Sequence, residues 1–325
     1  MSTLIPTDNE SLNTYYIKTE EEFVQLIKSN NLDSTLKLNP GLMAKFEDLL
    51  NFAFVNAYEK NNYSNRSHLF LQRVLYYINR LNFFWFDDIE NYINEDSTAL
   101  FSLSKQIEAE WAKWELNHVQ IDSLECLPYE EALNNRVNED LNPLPTEETL
   151  FLRNEMIQSG YKRLLAITSL DGLVEASQLS RVLGGVGNEI QLMLAKIFWE
   201  EYGGGKLPHK HSSYFINMLK ELNMETVPEA YFDVVPWEVL ANINHSFLLS
   251  EKKKNYLRYV GGLLYIEVSA PSAFLNYQKA GERIGLTEAA TGYWSTHIKE
   301  DIRHGEWMLN KVAVPLANKY PDQAW

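Results

Sequence analysis

Apolar residues recur along most of the chain at i, i+3, i+4 and i+7, the spacing that lines one face of an α-helix. Phe46, Leu49, Leu50, Ala53 and Ala57 follow it; so do Val74, Leu75, Ile78 and Leu81, and then Leu103, Ile107, Trp111 and Trp114. Strict apolar–polar alternation, the mark of a half-buried strand, is nearly absent, so the pattern predicts an all-α protein. Residues 1–19, rich in Asn, Ser and Thr, read as a loose arm. Polar clusters such as Asn94-Glu95-Asp96-Ser97 separate the helices. Pro128, Pro143 and Pro145 interrupt a polar stretch, and Thr146-Glu147-Glu148 then opens a new helix with acids at its positive end. The resulting division is a helical N-terminal domain over 1–140 and a second helical domain over 141–325.

Composition narrows the function classes. With 45% hydrophobic and 13% aromatic residues the chain is globular rather than disordered. A single cysteine, Cys126, excludes an internal disulfide framework and any cysteine-built metal cluster. The 44 acidic residues outnumber the 29 basic ones to give a formal charge of −15, a field that repels a phosphate backbone and argues against nucleic-acid binding. The first thirty residues lack the apolar core of a secretory signal, and no run approaches the roughly 18–20 apolar residues that span a bilayer. The expectation is a cytoplasmic protein with no membrane partner.

The chemistry concentrates in the last half. In His297-Ile298-Lys299-Glu300-Asp301-Ile302-Arg303-His304, positions i, i+4 and i+7 fall within about 60° on a helix that turns roughly 100° per residue. One stripe therefore presents His297, Asp301 and His304, with Trp294 and Met308 on the same inward face. Burying three such groups costs free energy unless a cation satisfies them. Glu201 shares a face with Ile190, Leu194 and Ile197, whereas its neighbour Glu200 is turned about 100° away and reads as a solvent group. Gly203-Gly204-Gly205 then breaks the helix, and either His209 or His211 turns inward after it. Glu267 stands four residues before Pro271, which removes the hydrogen bond to the Glu267 carbonyl and predicts a kinked or loose helix there. Glu175, on a face with Leu179 and Val182, reads by itself as a partly buried structural acid. A second pair, Glu115-x-x-His118, offers a ferritin-like alternative when combined with Asp301-x-x-His304.

Taken together, the order Glu175 … Glu201-x-Gly-x-Gly … His211 … Glu267 … His297-x-x-x-Asp301-x-x-His304 resembles the haem-oxygenase-like di-iron oxidases, most of all their N-oxygenases, over roughly residues 141–315. The resemblance implies a haem-oxygenase-like helical bundle preceded by an additional helical N-terminal domain. It implies a metal site formed by Glu175, Glu201, His211, Glu267, His297, Asp301 and His304, which holds two Fe(II)/Fe(III) ions and uses O2 as co-substrate. It further implies oxidation of a small-molecule amine or amino-acid substrate at nitrogen, an external electron donor, and a homodimer built through the N-terminal domain. Relatives with the same ligands cleave or decarboxylate carbon skeletons, and that is the alternative reaction. A non-enzymatic helical interaction protein is the alternative of a different class. Arg283 and several tyrosines are the candidates to meet a substrate carboxylate.

Overall fold

A computed structural model of the protein describes residues 5–6, 8–59, 64–82, 89–119, 125–185 and 187–325. Fourteen α-helices carry the chain among these residues, joined by 3₁₀ turns, and no strand occurs among them. In chain order they are α1 Asn9–Ile27, α2 Leu32–Leu38, α3 Ala44–Tyr58, α4 Asn65–Arg80, α5 Thr98–Leu116, α6 Tyr129–Leu141, α7 Glu147–Asn154, α8 Gln158–Gly172, α9 Glu189–Glu201, α10 His211–Glu221, α11 Trp237–Ser250, α12 Tyr256–Arg283, α13 Glu288–Trp307 and α14 Val314–Lys319. The fold is all-α, as the apolar periodicity predicts.

The chain divides into two compact units, Met1–Val119 with Pro236–His245, and Gln120–Val235 with Ser246–Trp325. In the first unit α1 replaces the expected loose arm. Asp8 caps it by accepting the Ser11 N–H at 2.9 Å, and its buried stripe runs Tyr16, Thr19, Glu20, Phe23, Ile27. Asn9, Ser11, Asn13 and Thr14, polar residues of the expected arm, are exposed on it, and Phe23 stacks on Phe46 of α3 at 4.6 Å between ring centroids.

The second unit departs from the simple division near residue 140. Helix α6 belongs to it, with Val137 buried among Leu264, Val268 and Leu316, while Pro236–His245 returns to the first unit. A hydrophobic pattern reports that a face is buried, but not which core receives it, so one proline-rich stretch could not mark both crossings. Thr146 caps α7 as its sequence predicts, accepting the Thr149 N–H at 3.2 Å.

Helices α12 and α13 form the central pair of this unit, with α10 against α13 and α6 and α7 against α12. Two apolar clusters flank them. One gathers Leu194 and Ile197 of α9, Leu264 and Val268 of α12, Met308 and Val312. The other gathers Tyr161 and Leu165 of α8, Phe215 and Met218 of α10, Ala280 of α12, Tyr293 and Trp294 of α13. Each such side chain contributes about 1.5–3 kcal/mol by leaving water. That burial offsets the polar groups set between the clusters.

Candidate metal centre

Helix α13 carries the densest part of the site. Thr287 caps it by accepting the Ala290 N–H, which fixes the helical phase, and Trp294, His297, Asp301, His304 and Met308 are all buried as one stripe. Helix α9, capped by Asn188, buries Leu194, Ile197 and Glu201 on one face and ends at Glu201. The glycine turn then reverses the chain. Gly203 adopts φ +63°, and a Cβ there would lie 2.5 Å from the Lys210 nitrogen and press on the His209 carbonyl, so only glycine fits. This contact sets His211 at the start of α10, buried and facing Glu201, while His209 is exposed.

Glu267 lies on α12 between Leu264 and Val268. The helix runs through Pro271 without interruption, so the loosening expected at Glu267 takes the form of a freed carbonyl within a continuous helix. Gly305 of α13 passes close to that carbonyl: a Cβ at Gly305 would sit 3.4 Å from the Glu267 oxygen. Glu175 stands outside any helix. It occupies the turn after α8, its N–H bonded to the Asp171 carbonyl at 2.9 Å, just before Ala176 at φ +61°. The helical face expected for it with Leu179 and Val182 is therefore absent, because the chain changes direction at Ala176.

All seven side chains converge. Glu175, His211 and His297 form one group and Glu201, Glu267, Asp301 and His304 a second; within each, one candidate ligand atom per residue lies within 4.8 Å of the others. His297 Nε2 is 2.9 Å from Glu175 Oε1 and 3.1 Å from His211 Nδ1. His304 Nδ1 is 3.3 Å from both Glu201 and Glu267 and 3.9 Å from Asp301. The groups are joined by the 2.7 Å contact of His211 Nδ1 with Glu201 Oε2.

The electrostatics are those of a site that wants cations. Burial raises the carboxyls of Glu267 and Asp301, in both cases with further repulsion from Glu201. Burial also pushes Glu201 up, but hydrogen bonds from His211 and His304 outweigh it and hold this carboxyl well below its usual range. Burial pulls the imidazoles down, yet the surrounding acids prevail: His211 is raised to about 9, His304 to about 11, and His297 well above the ordinary range. Protons on the imidazoles thus stand where metal ions fit. The fit shows in what the protein leaves unsatisfied. Asp301 Oδ1 and Glu175 Oε2 are buried with no hydrogen-bond partner. Buried polar atoms are rarely left so, and oxygen and imidazole donors suit iron.

Residues 162–324, about half of the chain, match the sequence model of the haem-oxygenase-like iron-containing redox enzymes. The chain belongs to this family. Among curated proteins it is similar to the nitrosourea synthase of Streptomyces achromogenes subsp. streptozoticus, with 28% identity over 152 residues, 47% of this chain and 32% of the relative. The chain spans about a third of that relative's length. The family match covers every one of the seven residues and assigns the chain to an iron-dependent redox role.

Three further residues hold the side chains of these two groups. Glu200, expected in solvent, accepts from His304 Nε2 at 3.0 Å and Arg303 Nη2 at 2.6 Å. Glu300 accepts from His211 Nε2 at 3.2 Å. Tyr293 donates its hydroxyl to Glu175 at 2.7 Å, and its carbonyl accepts from His297 Nδ1 at 2.8 Å. The available signal was the doubled acid, Glu200-Glu201 at the end of α9 and Glu300-Asp301 within α13. Arg283, by contrast, donates to the carbonyls of Arg153 and Met156 and ties α12 to the end of α7. Glu115 and His118, the other half of the ferritin-like alternative, belong to the first unit, where Glu115 faces His245 at 3.5 Å and His118 is exposed.

Proposed function

We propose that the protein is a non-haem di-iron oxygenase that uses O2 to oxidise a small amine or amino-acid-derived substrate at nitrogen. One observation carries the reading: two adjacent buried groups of acid and imidazole ligands, joined at His211 and Glu201, with orphaned donor atoms in both. Two groups of this composition suit two cations, and their oxygen and nitrogen donors suit iron. Iron, when bound, supplies the activation of dioxygen that no side chain can provide.

The chain's own residues do the rest. Glu175, His211 and His297 would hold one ion, and Glu201, Glu267, Asp301 and His304 the other. The protons on His211 and His304 leave as the ions enter, so the site exchanges proton charge for metal charge. Phe274, Tyr277, Tyr293 and Trp294 pack ring to ring, with Phe274 edge-on to His297 at 5.1 Å, and exclude water on that side. Tyr293 holds Glu175 by its hydroxyl, which keeps one carboxylate oxygen directed at the imidazoles. In the N-oxygenation, one oxygen atom enters an N–O bond and the other leaves as water, with two electrons and two protons from an external donor.

The likeness to a nitrosourea synthase supports nitrogen as the site of oxidation. The test is anaerobic Fe(II) titration followed by exposure to ¹⁸O₂ with a panel of amines and amino acids. Two irons per chain and label retained on nitrogen are expected. Label in an aldehyde or carboxylate with loss of a carbon fragment would assign the reaction to C–C cleavage instead. Failure to take up iron would end the enzyme reading altogether.

A further inference from the structure

The two acidic pairs follow one pattern. In each, one carboxylate enters the ligand groups, Glu201 or Asp301, and its chain neighbour, Glu200 or Glu300, stands behind an imidazole presented by a different helix. Glu200 of α9 holds the outer nitrogen of His304 of α13, and Glu300 of α13 holds the outer nitrogen of His211 of α10. The third histidine uses a local device, Nδ1 bonded to the Tyr293 carbonyl one turn earlier in its own helix. The consequence is a fixed choice of nitrogen. His304 and His211 present Nδ1 to the ligand groups, and His297 presents Nε2.

We infer that Glu200 and Glu300 are positioning residues, which fix His304 and His211 as Nδ1 ligands by accepting the N–H on the opposite side of each ring. The inference rests on the metal-centre reading and adds to it residues outside the seven. An imidazole has two nitrogens and two ring faces, and only an acceptor on the far side selects one arrangement before the ion arrives. A carboxylate there also withdraws proton density from the ring and strengthens its lone pair toward a cation. Arg303 braces Glu200 from outside, at 2.6 Å. Among the described residues no Lys or Arg pairs with Glu300, and its 3.2 Å contact with His211 is the longer of the two.

The alternative is that both acids are half-buried surface groups whose contacts do nothing for ion binding. Ion affinity separates the two. Glu200→Ala, Glu200→Gln, Glu300→Ala and Glu300→Gln are compared with Glu306→Gln, an exposed acid on α13. Fe(II) is titrated anaerobically, and helicity and melting of the ion-free proteins are recorded. Wild type should take up two ions. Loss of an outer-shell acceptor should weaken one of the two by about 10- to 100-fold, with Gln, which keeps an acceptor oxygen without charge, falling between wild type and Ala. Glu306→Gln should match wild type.

A second measurement needs no variant. In ¹⁵N-histidine-labelled protein loaded with Zn(II), His211 and His304 should carry their proton on Nε2 and His297 on Nδ1. Unchanged affinity in all four variants, or protons on Nδ1 of His211 and His304, overturns the inference while two-ion uptake by wild type leaves the metal centre standing. A wild type that binds no ion overturns both.

Discussion

Two buried acids show what separates a structural charge from a ligand. Glu20, in the first unit, is 8% exposed and accepts from the Arg73 guanidinium at 2.9 Å and the Tyr77 hydroxyl at 3.2 Å. Asp301, in the second unit, is 3% exposed, and its Oδ1 has no hydrogen-bond partner. Burial raises both carboxyls; at Glu20 the Arg73 guanidinium pulls the other way, and at Asp301 His297 and His304 do so against the added repulsion of Glu267 and Glu201. Among the described residues, only imidazoles form ion pairs with the four acids of the metal centre. Taking an ion out of water costs several kcal/mol even after relaxation. The first unit meets that cost with a permanent guanidinium, and the second with imidazole protons, which a metal ion can displace.

The largest effect that tests this contrast is loss of His304. His304→Ala removes the side chain that touches three of the acids; it should leave helicity intact, abolish uptake of one of the two ions and end product formation, as read by iron stoichiometry and product analysis. A variant that stays active with two irons would remove His304 from the ligand set. On the other side of the contrast, Glu20→Gln should cost about 3 kcal/mol in urea unfolding, since it breaks a buried ion pair, and leave the iron count at two. Iron loss in that variant would mean that Glu20 does more than pair with Arg73.

Ion loading comes next in size. Each ion present at 100 times its Kd should stabilise the protein by about 2.7 kcal/mol, seen as a rise in melting temperature. The pH dependence has opposite signs in the two states. In the ion-free protein the raised imidazoles of His211 and His304 contribute stability that is complete below about pH 6.5, where the unfolded chain is also protonated. That stability is lost as pH climbs through about 9 and then about 11. The raised carboxyls of Glu267 and Asp301 act in the same direction. Ions must displace those protons, so affinity rises with pH. The gap in melting temperature between loaded and ion-free protein should therefore widen from pH 6 to 8.5, and a gap that narrows would contradict the proton-for-metal exchange.

How far the sequence could foretell the site depends on where each residue lies. The His297, Asp301, His304 stripe and Glu201 sit mid-helix or at a helix end within apolar faces, where a fixed turn of about 100° per residue converts spacing into direction. Their convergence was legible for that reason. Glu175 is legible only through the family resemblance, because it occupies a turn whose course depends on Ala176 adopting a positive φ, which no periodicity encodes. Periodicity leaves His209 and His211 equivalent; the resemblance picks His211, and the close approach of Gly203 to Lys210, a tertiary contact, is what turns it inward. Glu200 illustrates a different failure: facing away from its own apolar stripe was equated with facing water, yet a neighbouring helix, α13, supplies His304 and Arg303 on that side. The expected loose arm is helical from Asn9 onward because a helix with one narrow buried face needs few apolar residues. The haem-oxygenase-like pattern covered the second unit, and nothing comparable marked where the chain passes between the two.

The smallest effect sharpens the comparison most, because it asks whether the acids of the second unit are held close on purpose. Helix α13 approaches α12 through Gly305, where an added Cβ would lie 3.3 Å from Val268 Cγ2 and 3.4 Å from the Glu267 carbonyl oxygen. The first distance is tighter than ordinary contact and the second lies at its limit, so the Val268 side chain or one helix must give by a few tenths of an ångström. Gly305 also sits beside His304 in sequence and against Glu267 in space, so that shift acts directly on the 3.3 Å separation of their side chains. In ion-free protein Gly305→Ala relieves some repulsion between buried acids while straining the packing, and the net cost should be about 1 kcal/mol. Ion binding should suffer more than folding, and only in the group that contains Glu267 and His304. The group built from Glu175, His211 and His297 should keep its affinity. Equal weakening of both ions would mean that the spacing of α12 and α13 governs the whole centre rather than one half of it.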